Sequence, residues 1–288
     1  MTGIFFIPSP GIILFMQKFP IGVFDSGYGG LTVLREMQIA LPENDFIYLG
    51  DNLRAPYGPL AFETVYHYTL QCVKWFLEKN CPLVVLACNT ASAKALRSIQ
   101  QNDLPDLDGS KRVLGVIRPT SEVIGEYTRS GHVGVMATAG TVQSGSYLLE
   151  IEKFFPGLTV SQEACTEWVN LVETGRHHSP EADEPVKTHI SNLLSKDRSI
   201  DTILLACTHY PLLMDKIRQF VPKGIVIIEQ GNIVAKSLVD YLHRHPGIAE
   251  KCSKKGQISF NTTGDPGDFN AHASVFFGTD LQADQVKL

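Results

Sequence analysis

Leu204-Leu205-Ala206-Cys207-Thr208-His209-Tyr210-Pro211 decides the reading of this chain. Apolar residues run straight into a cysteine, and the chain then turns polar. A strand buried on both faces of a parallel sheet has this pattern, and its last side chain is delivered to the C-terminal edge. The stretch has a twin in Leu86-Ala87-Cys88-Asn89-Thr90, again an apolar run, Ala-Cys and small polar residues. Two cysteines offered from two similar strand ends predict paired thiol chemistry at one site.

Outward from these stretches, strand and helix patterns alternate from Pro20 onward. Ile21–Phe24, Phe46–Leu49, Leu83–Leu86, Val113–Ile117, His132–Met136, Asp201–Ala206 and Val226–Ile228 read as strands, and Thr159–Gln162 as a short one. Helical spacing follows Asp25–Gly30 as far as Pro42, then runs over Phe62–Leu77, Ala91–Gln101, Trp168–Thr174, Val186–Leu194 and Ile233–His243. Asn102–Arg112 reads as a polar loop and Gly175–Pro185 as an exposed charged loop. Alternation of this kind predicts an α/β protein with parallel sheets covered on both faces.

A rough internal repeat divides it. Ile21-Gly22-Val23-Phe24-Asp25-Ser26 matches Val133-Gly134-Val135-Met136-Ala137-Thr138, and an Ala-Cys strand follows each at a similar distance. Two αβα domains related by a pseudo-twofold are expected, with the cysteines facing each other across the interdomain cleft. The expected division is residues 18–115 with 232–250 for the first domain and 116–231 for the second. Residues 1–17 read as an N-terminal extension ahead of a functional start near Met16. After Pro246 the pattern weakens, and 251–288 is a tail for which no fold is expected.

Composition excludes several classes. With 288 residues the chain can bury a sizeable core. A net charge of −5 leaves no basic footprint for nucleic acid. No segment reaches the roughly 18 apolar residues of a membrane helix. The apolar N-terminus lacks a basic start and a cleavage site and is broken by Pro8 and Pro10, so it does not read as a signal peptide. A cytoplasmic location is expected. The six cysteines read as reduced thiols, and with no Cys-x-x-Cys pair no metal site is expected.

The chemistry follows from the thiols. Two thiols on opposite faces of one substrate suit inversion at a carbon: one removes a proton, the other returns one. A helix N-terminus after Cys88 or Cys207 is expected to lower the thiol pKa. Asp25 and Ser26 end the first strand beside Cys88, and His209 lies two residues beyond Cys207. Gly27, Gly29 and Gly30 lack the spacing of a dinucleotide or P-loop motif and fit a carboxylate better than a phosphate. Asn89, Thr90, Thr138, Thr141 and Thr208 add neutral groups suited to carboxylates and an ammonium. With no lysine motif at a strand end, any racemisation is expected to need no cofactor.

Asp25-Ser26-Gly27-Tyr28-Gly29-Gly30-Leu31, Pro56-Tyr57-Gly58, Ala87-Cys88-Asn89-Thr90-Ala91 and Cys207-Thr208-His209-Tyr210-Pro211 resemble, in that order, the motifs of glutamate racemases. The resemblance runs from about Pro20 to Pro246 and extends to Thr262-Thr263-Gly264-Asp265-Pro266. It implies interconversion of L- and D-glutamate, with D-glutamate supplied to peptidoglycan synthesis, and a homodimer. It implies that Cys88 acts on the α-proton of the D-isomer with help from Asp25. Cys207 would act on the L-isomer with help from His209 and a glutamate, matched best by Glu173. Asp25, Ser26, Tyr57, Gly58, Asn89, Thr90, Thr208 and His209 are the implied substrate contacts, with Thr138 and Thr141 beside them.

The chain departs from the family pattern in three places. Arg118 stands where Glu is frequent, Cys165-Thr166-Glu167-Trp168-Val169-Asn170 replaces a Cys-Pro-Leu-Phe-Val-Pro run, and Glu229-Gln230-Gly231 replaces Asp-Ser-Gly. A racemase for aspartate, a binding protein on the same scaffold and a thiol redox protein are the rival readings.

Overall fold

A computed structural model describes residues 17–288. The extension, apart from its last residue, and the start near Met16 lie outside the described residues. Among the described residues ten strands form two sheets, with every pairing parallel. The first sheet holds β1 (Ile21–Asp25), β2 (Phe46–Gly50), β3 (Leu83–Leu86) and β4 (Arg112–Gly115), with β9 (Ile258–Thr262) and β10 (Ala283–Gln285). The second holds β5 (His132–Ala137), β6 (Thr159–Ala164), β7 (Thr202–Ala206) and β8 (Val226–Glu229).

The internal repeat appears as topology. The strand order β2-β1-β3-β4 in the first sheet recurs as β6-β5-β7-β8 in the second. In each, the chain runs outward from the first strand and then returns to its other side. That creates a switch point between β1 and β3, and another between β5 and β7, where strand ends leave a crevice. Asp25 ends β1 and Cys88 follows β3; Thr138 follows β5 and Cys207 follows β7. β1, β2, β3 and β7 are buried along their whole length, which is why they read as unbroken apolar runs. One apolar cluster is continuous from Ile21 and Leu34 through Trp168 and Leu205 to Leu238, so the two halves share a core. Helix Gly231–Arg244 returns from the second sheet and packs along helix Leu31–Ala40.

The tail differs most from expectation. β9 pairs with β2 over five residues and β10 extends the edge, so residues after 251 complete the first sheet. Between them runs helix Pro266–Phe277, capped by Asp265, whose side chain accepts from the N–H of Asp268 at 2.8 Å, and ended by Gly278 at φ 92°. Asp before Pro at a helix start and Gly just past its end are standard punctuation. They were present in the sequence, but β9 alternates in burial and gives only a weak strand pattern.

Three smaller expectations also change. The strand expected over Val113–Ile117 stops at Gly115, and Ile117–Ser121 is helical. Pro119 is tolerated there because N–H groups in a first turn have no helical partner. The polar loop expected over Asn102–Arg112 instead continues the preceding helix through a π-turn, Ile99–Asp103, and helix Leu104–Asp108. Within Gly175–Pro185 two 3₁₀ turns form, and His177 and Ala182 are buried. No helix among the described residues is long and apolar enough to cross a membrane.

Candidate active site

The two cysteines are free and almost fully buried, Cys88 at 5 % and Cys207 at 6 % exposure. Their surroundings are unequal. Cys88 is the N-cap of helix Asn89–Lys94, and its Sγ accepts from the N–H of Ala91 at 3.5 Å. The thiol in turn donates to Ser26 Oγ at 3.5 Å. Cys207 leads into a 3₁₀ turn, Tyr210–Leu213, and its Sγ faces His209 Nδ1 at 3.9 Å.

The lowering expected of Cys88 from its helix does not prevail. Burial pushes the thiol up to about 12, the Asp25 carboxyl pushes the same way, and the hydrogen bonds from Ala91 and with Ser26 only offset part of this. Asp25 is itself raised by burial, against the pull of His209 and the N–H groups of Gly27 and Gly30. Its Oδ1 accepts from Gly27 N at 2.9 Å and its Oδ2 from the Thr208 hydroxyl at 3.4 Å, so one carboxyl ties the first half to the second.

On the other side, His209 Nε2 meets Glu173 Oε1 at 3.0 Å. Burial would lower the His209 pKa, but the hydrogen bonds and charges of Cys207 and Glu173 outweigh it and push it up to about 10. Glu173 reaches the site at the end of the short helix Trp168–Glu173, anchored by Trp168 packed edge-on against Tyr210 at 4.8 Å.

A second group gathers where the halves meet. Thr90 and Thr138 hydroxyls lie 2.9 Å apart, and Thr138 lies 3.0 Å from Thr141. The N–H of Gly140 donates to the Gly58 carbonyl at 3.1 Å. Asp25, Thr208, His209, Cys207 and Glu173 thus form one linked network, the Ser26–Cys88 pair lies within reach of the Asp25 charge, and Thr90, Thr138 and Thr141 form a further group beside Gly58. Two residues of the expected set have side chains engaged elsewhere. The Tyr57 hydroxyl donates to Asp51, which also holds Arg54 and Thr263. Both ends of the Asn89 amide are hydrogen-bonded to Gln230 and Tyr147.

The tail supplies contacts that sequence reasoning missed. Phe276 packs edge-on against the His209 ring at 5.3 Å and stacks on Tyr28 at 5.8 Å. Tyr28 donates to Asp268 at 2.7 Å, and the Tyr48 hydroxyl donates to the Gly27 carbonyl at 2.8 Å, pinning the turn that follows Asp25. Close packing also explains Gly29: a Cβ there would stand 2.2 Å from Thr208 Oγ1 and 2.5 Å from His209 Nδ1.

The arrangement is two free sulfurs that follow matching strands, Cys88 near the Asp25 carboxyl and Cys207 facing the His209 ring. Known proteins are similar to the chain along nearly its whole length. Glutamate racemases of Streptococcus suis and Roseobacter denitrificans are 36 % and 39 % identical to it. The first match covers 95 % of this chain and 100 % of the relative, the second 89 % and 96 %. The solved glutamate racemase isoform of Bacillus anthracis superposes with a TM-score of 0.85 at 33 % identity, over 94 % of this chain and 98 % of that one. The Francisella tularensis glutamate racemase, solved in complex with D-glutamate, gives 0.83 at 29 % identity with the same coverage. The profile of the Asp/Glu/Hydantoin racemase family matches residues 21–238, and with this site and these relatives the chain belongs to that family.

Proposed function

We propose that this protein is a glutamate racemase that interconverts L- and D-glutamate through its own two thiols, without a cofactor. One observation carries the reading: Cys88 and Cys207, both free, follow the equivalent strands β3 and β7 of two repeated sheets, each beside a titratable partner. A similar protein has been solved with D-glutamate, and glutamate is the substrate we assign.

In the proposed reaction a thiolate on one face takes the Cα proton, and the electron pair left behind spreads into the α-carboxylate. A thiol on the opposite face gives its proton to Cα. The configuration inverts, and the two sulfurs exchange protonation states. Cys88, pushed up to about 12, starts as the thiol. His209, pushed up to about 10, carries its proton at neutral pH beside Cys207. This state suits removal of the L-isomer's proton by Cys207 and delivery by Cys88. Asp25 is assigned to assist Cys88, and His209 with Glu173 to assist Cys207.

For the substrate's carboxylates and ammonium we assign Ser26, Thr90, Thr138, Thr141 and Thr208, with the backbone at Gly58 and Asn89. First-turn N–H groups such as that of Asn89 lack helical partners and suit an anion. Tyr57 contributes by holding the loop that carries Gly58. Assignment of the product to peptidoglycan synthesis, of the location to the cytoplasm and of the working unit to a homodimer rests on the family resemblance.

The test is incubation with L-glutamate in deuterium oxide with no added cofactor. Loss of optical rotation with uptake of deuterium at Cα is expected; a folded protein that exchanges nothing refutes the assignment. The same assay on aspartate should run about 10- to 200-fold slower, the discrimination one methylene provides.

A further inference from the structure

The chain crosses between the sheets twice, and the two crossings meet in a buried ring of amides and hydroxyls. It leaves β4 through Val116 and returns from β8 through Gln230. Gln230 Nε2 donates to the Tyr147 hydroxyl at 2.6 Å and to Thr120 Oγ1 at 3.0 Å, and reaches the Val116 carbonyl at 3.4 Å. Its Oε1 accepts from Asn89 Nδ2 at 2.7 Å, and the Tyr147 hydroxyl donates to Asn89 Oδ1 at 2.7 Å, which closes the ring.

Asn89, Thr120, Tyr147 and Gln230 are all buried. Removing one member therefore strands the others without water to replace it. The ring also has a direction. Asn89 is the residue after Cys88 and the first of the helix whose Ala91 N–H bonds the Cys88 sulfur. Every other member comes from the second sheet's side or from the crossings.

We propose that Gln230 is a positioning residue: from the crossing between the sheets, through Asn89, it fixes where the Cys88 sulfur stands relative to the half that carries Cys207. This rests on the racemase reading for its kinetic consequence, but not for its structural one. Gln230 itself touches no substrate; it acts by setting the separation across which the proton is handed over.

The test compares wild type with Gln230→Leu and with the milder Tyr147→Phe, which removes a single hydroxyl. Per folded enzyme, kcat should fall about 10- to 100-fold in both directions, as for a reacting group displaced by about an ångström, while KM, which senses the Asn89 backbone, should rise by a smaller factor than kcat falls. The isotope effect of α-deuterated D-glutamate should rise. Independently of turnover, alkylation by iodoacetamide followed by mass spectrometry should accelerate at Cys88 at least about fivefold, with Cys72, Cys165 and Cys252 unchanged. Unchanged kinetics together with unchanged Cys88 alkylation would overturn the proposal. So would acceleration at all the buried cysteines together, which marks general loosening. A wild type that does not racemise glutamate refutes the functional reading instead, and the alkylation comparison then decides the ring alone.

Discussion

Glu173 and His209 lie 36 residues apart in the chain, yet Oε1 of the first is 3.0 Å from Nε2 of the second. The imidazole is thereby held between a carboxylate and the Cys207 sulfur, 3.9 Å from its other nitrogen. His209 is raised from 6.5 to about 10, so between those values the folded chain holds a proton that the unfolded chain releases. The stability this contributes is complete below about 6.5 and is lost as pH rises through about 10. Glu173→Gln removes one of the groups that raise it, so the loss should be smaller and complete at lower pH. Urea midpoints taken at pH values of about 6, 8 and 10 check this. Parallel curves for the two proteins would contradict it. Racemisation should also fall about 10²-fold, within the range typical of acid–base assistance.

The sulfurs are predicted to be individually indispensable. Cys88→Ala and Cys207→Ala should each lower racemisation by at least about 10²- to 10⁴-fold, because neither remaining group can serve both faces. Polarimetry with both isomers is sufficient. Turnover within about tenfold of wild type in either variant would rule out a two-base reaction.

At Gly29 the limit is space. A single methyl group would meet Thr208 and His209 well inside contact distance. Gly29→Ala should cost about 1–3 kcal/mol of stability through overpacking. It should also reduce kcat, because the strain falls on His209 and on the Thr208 hydroxyl that bonds Asp25. A variant with wild-type melting and turnover would show that the two segments separate freely.

The C-terminal helix offers a paired comparison. Phe269 and Phe276 are both buried, but only Phe276 packs on the His209 ring. Either change to Ala should destabilise by about 3–5 kcal/mol. Only Phe276→Ala should also move the alkaline limb of the pH–rate profile, by wetting His209. Equal profiles for the two variants would deny the tail a part in the site.

Legibility followed the kind of signal each element carries. β3 and β7 were plain because a strand buried on both faces must be apolar throughout, and each ends where a cysteine interrupts the run. Helix Phe62–Glu78 was plain because its buried residues recur at helical spacing. β9 was not, because only its last two residues are fully buried and it joins the sheet at the edge of β2. The ends of β4 and the π-turn after Ile99 were misread because local propensity does not fix where a ladder stops.

The site divides in the same way. The sequence by itself determined the two thiols, the neighbouring Asp25 and His209, and a repeated α/β architecture, since each follows from residue types at the end of an apolar run. Only the tertiary structure decided their environments. Whether the N-terminus of helix Asn89–Lys94 or burial governs Cys88 depends on how completely distant segments exclude water, and here burial prevails. Whether Glu173 reaches His209, whether Phe276 covers it and whether Gln230 grips Asn89 depend on contacts between segments far apart in the chain. Such contacts have no local period, so the sequence names the residues while the packing assigns their partners.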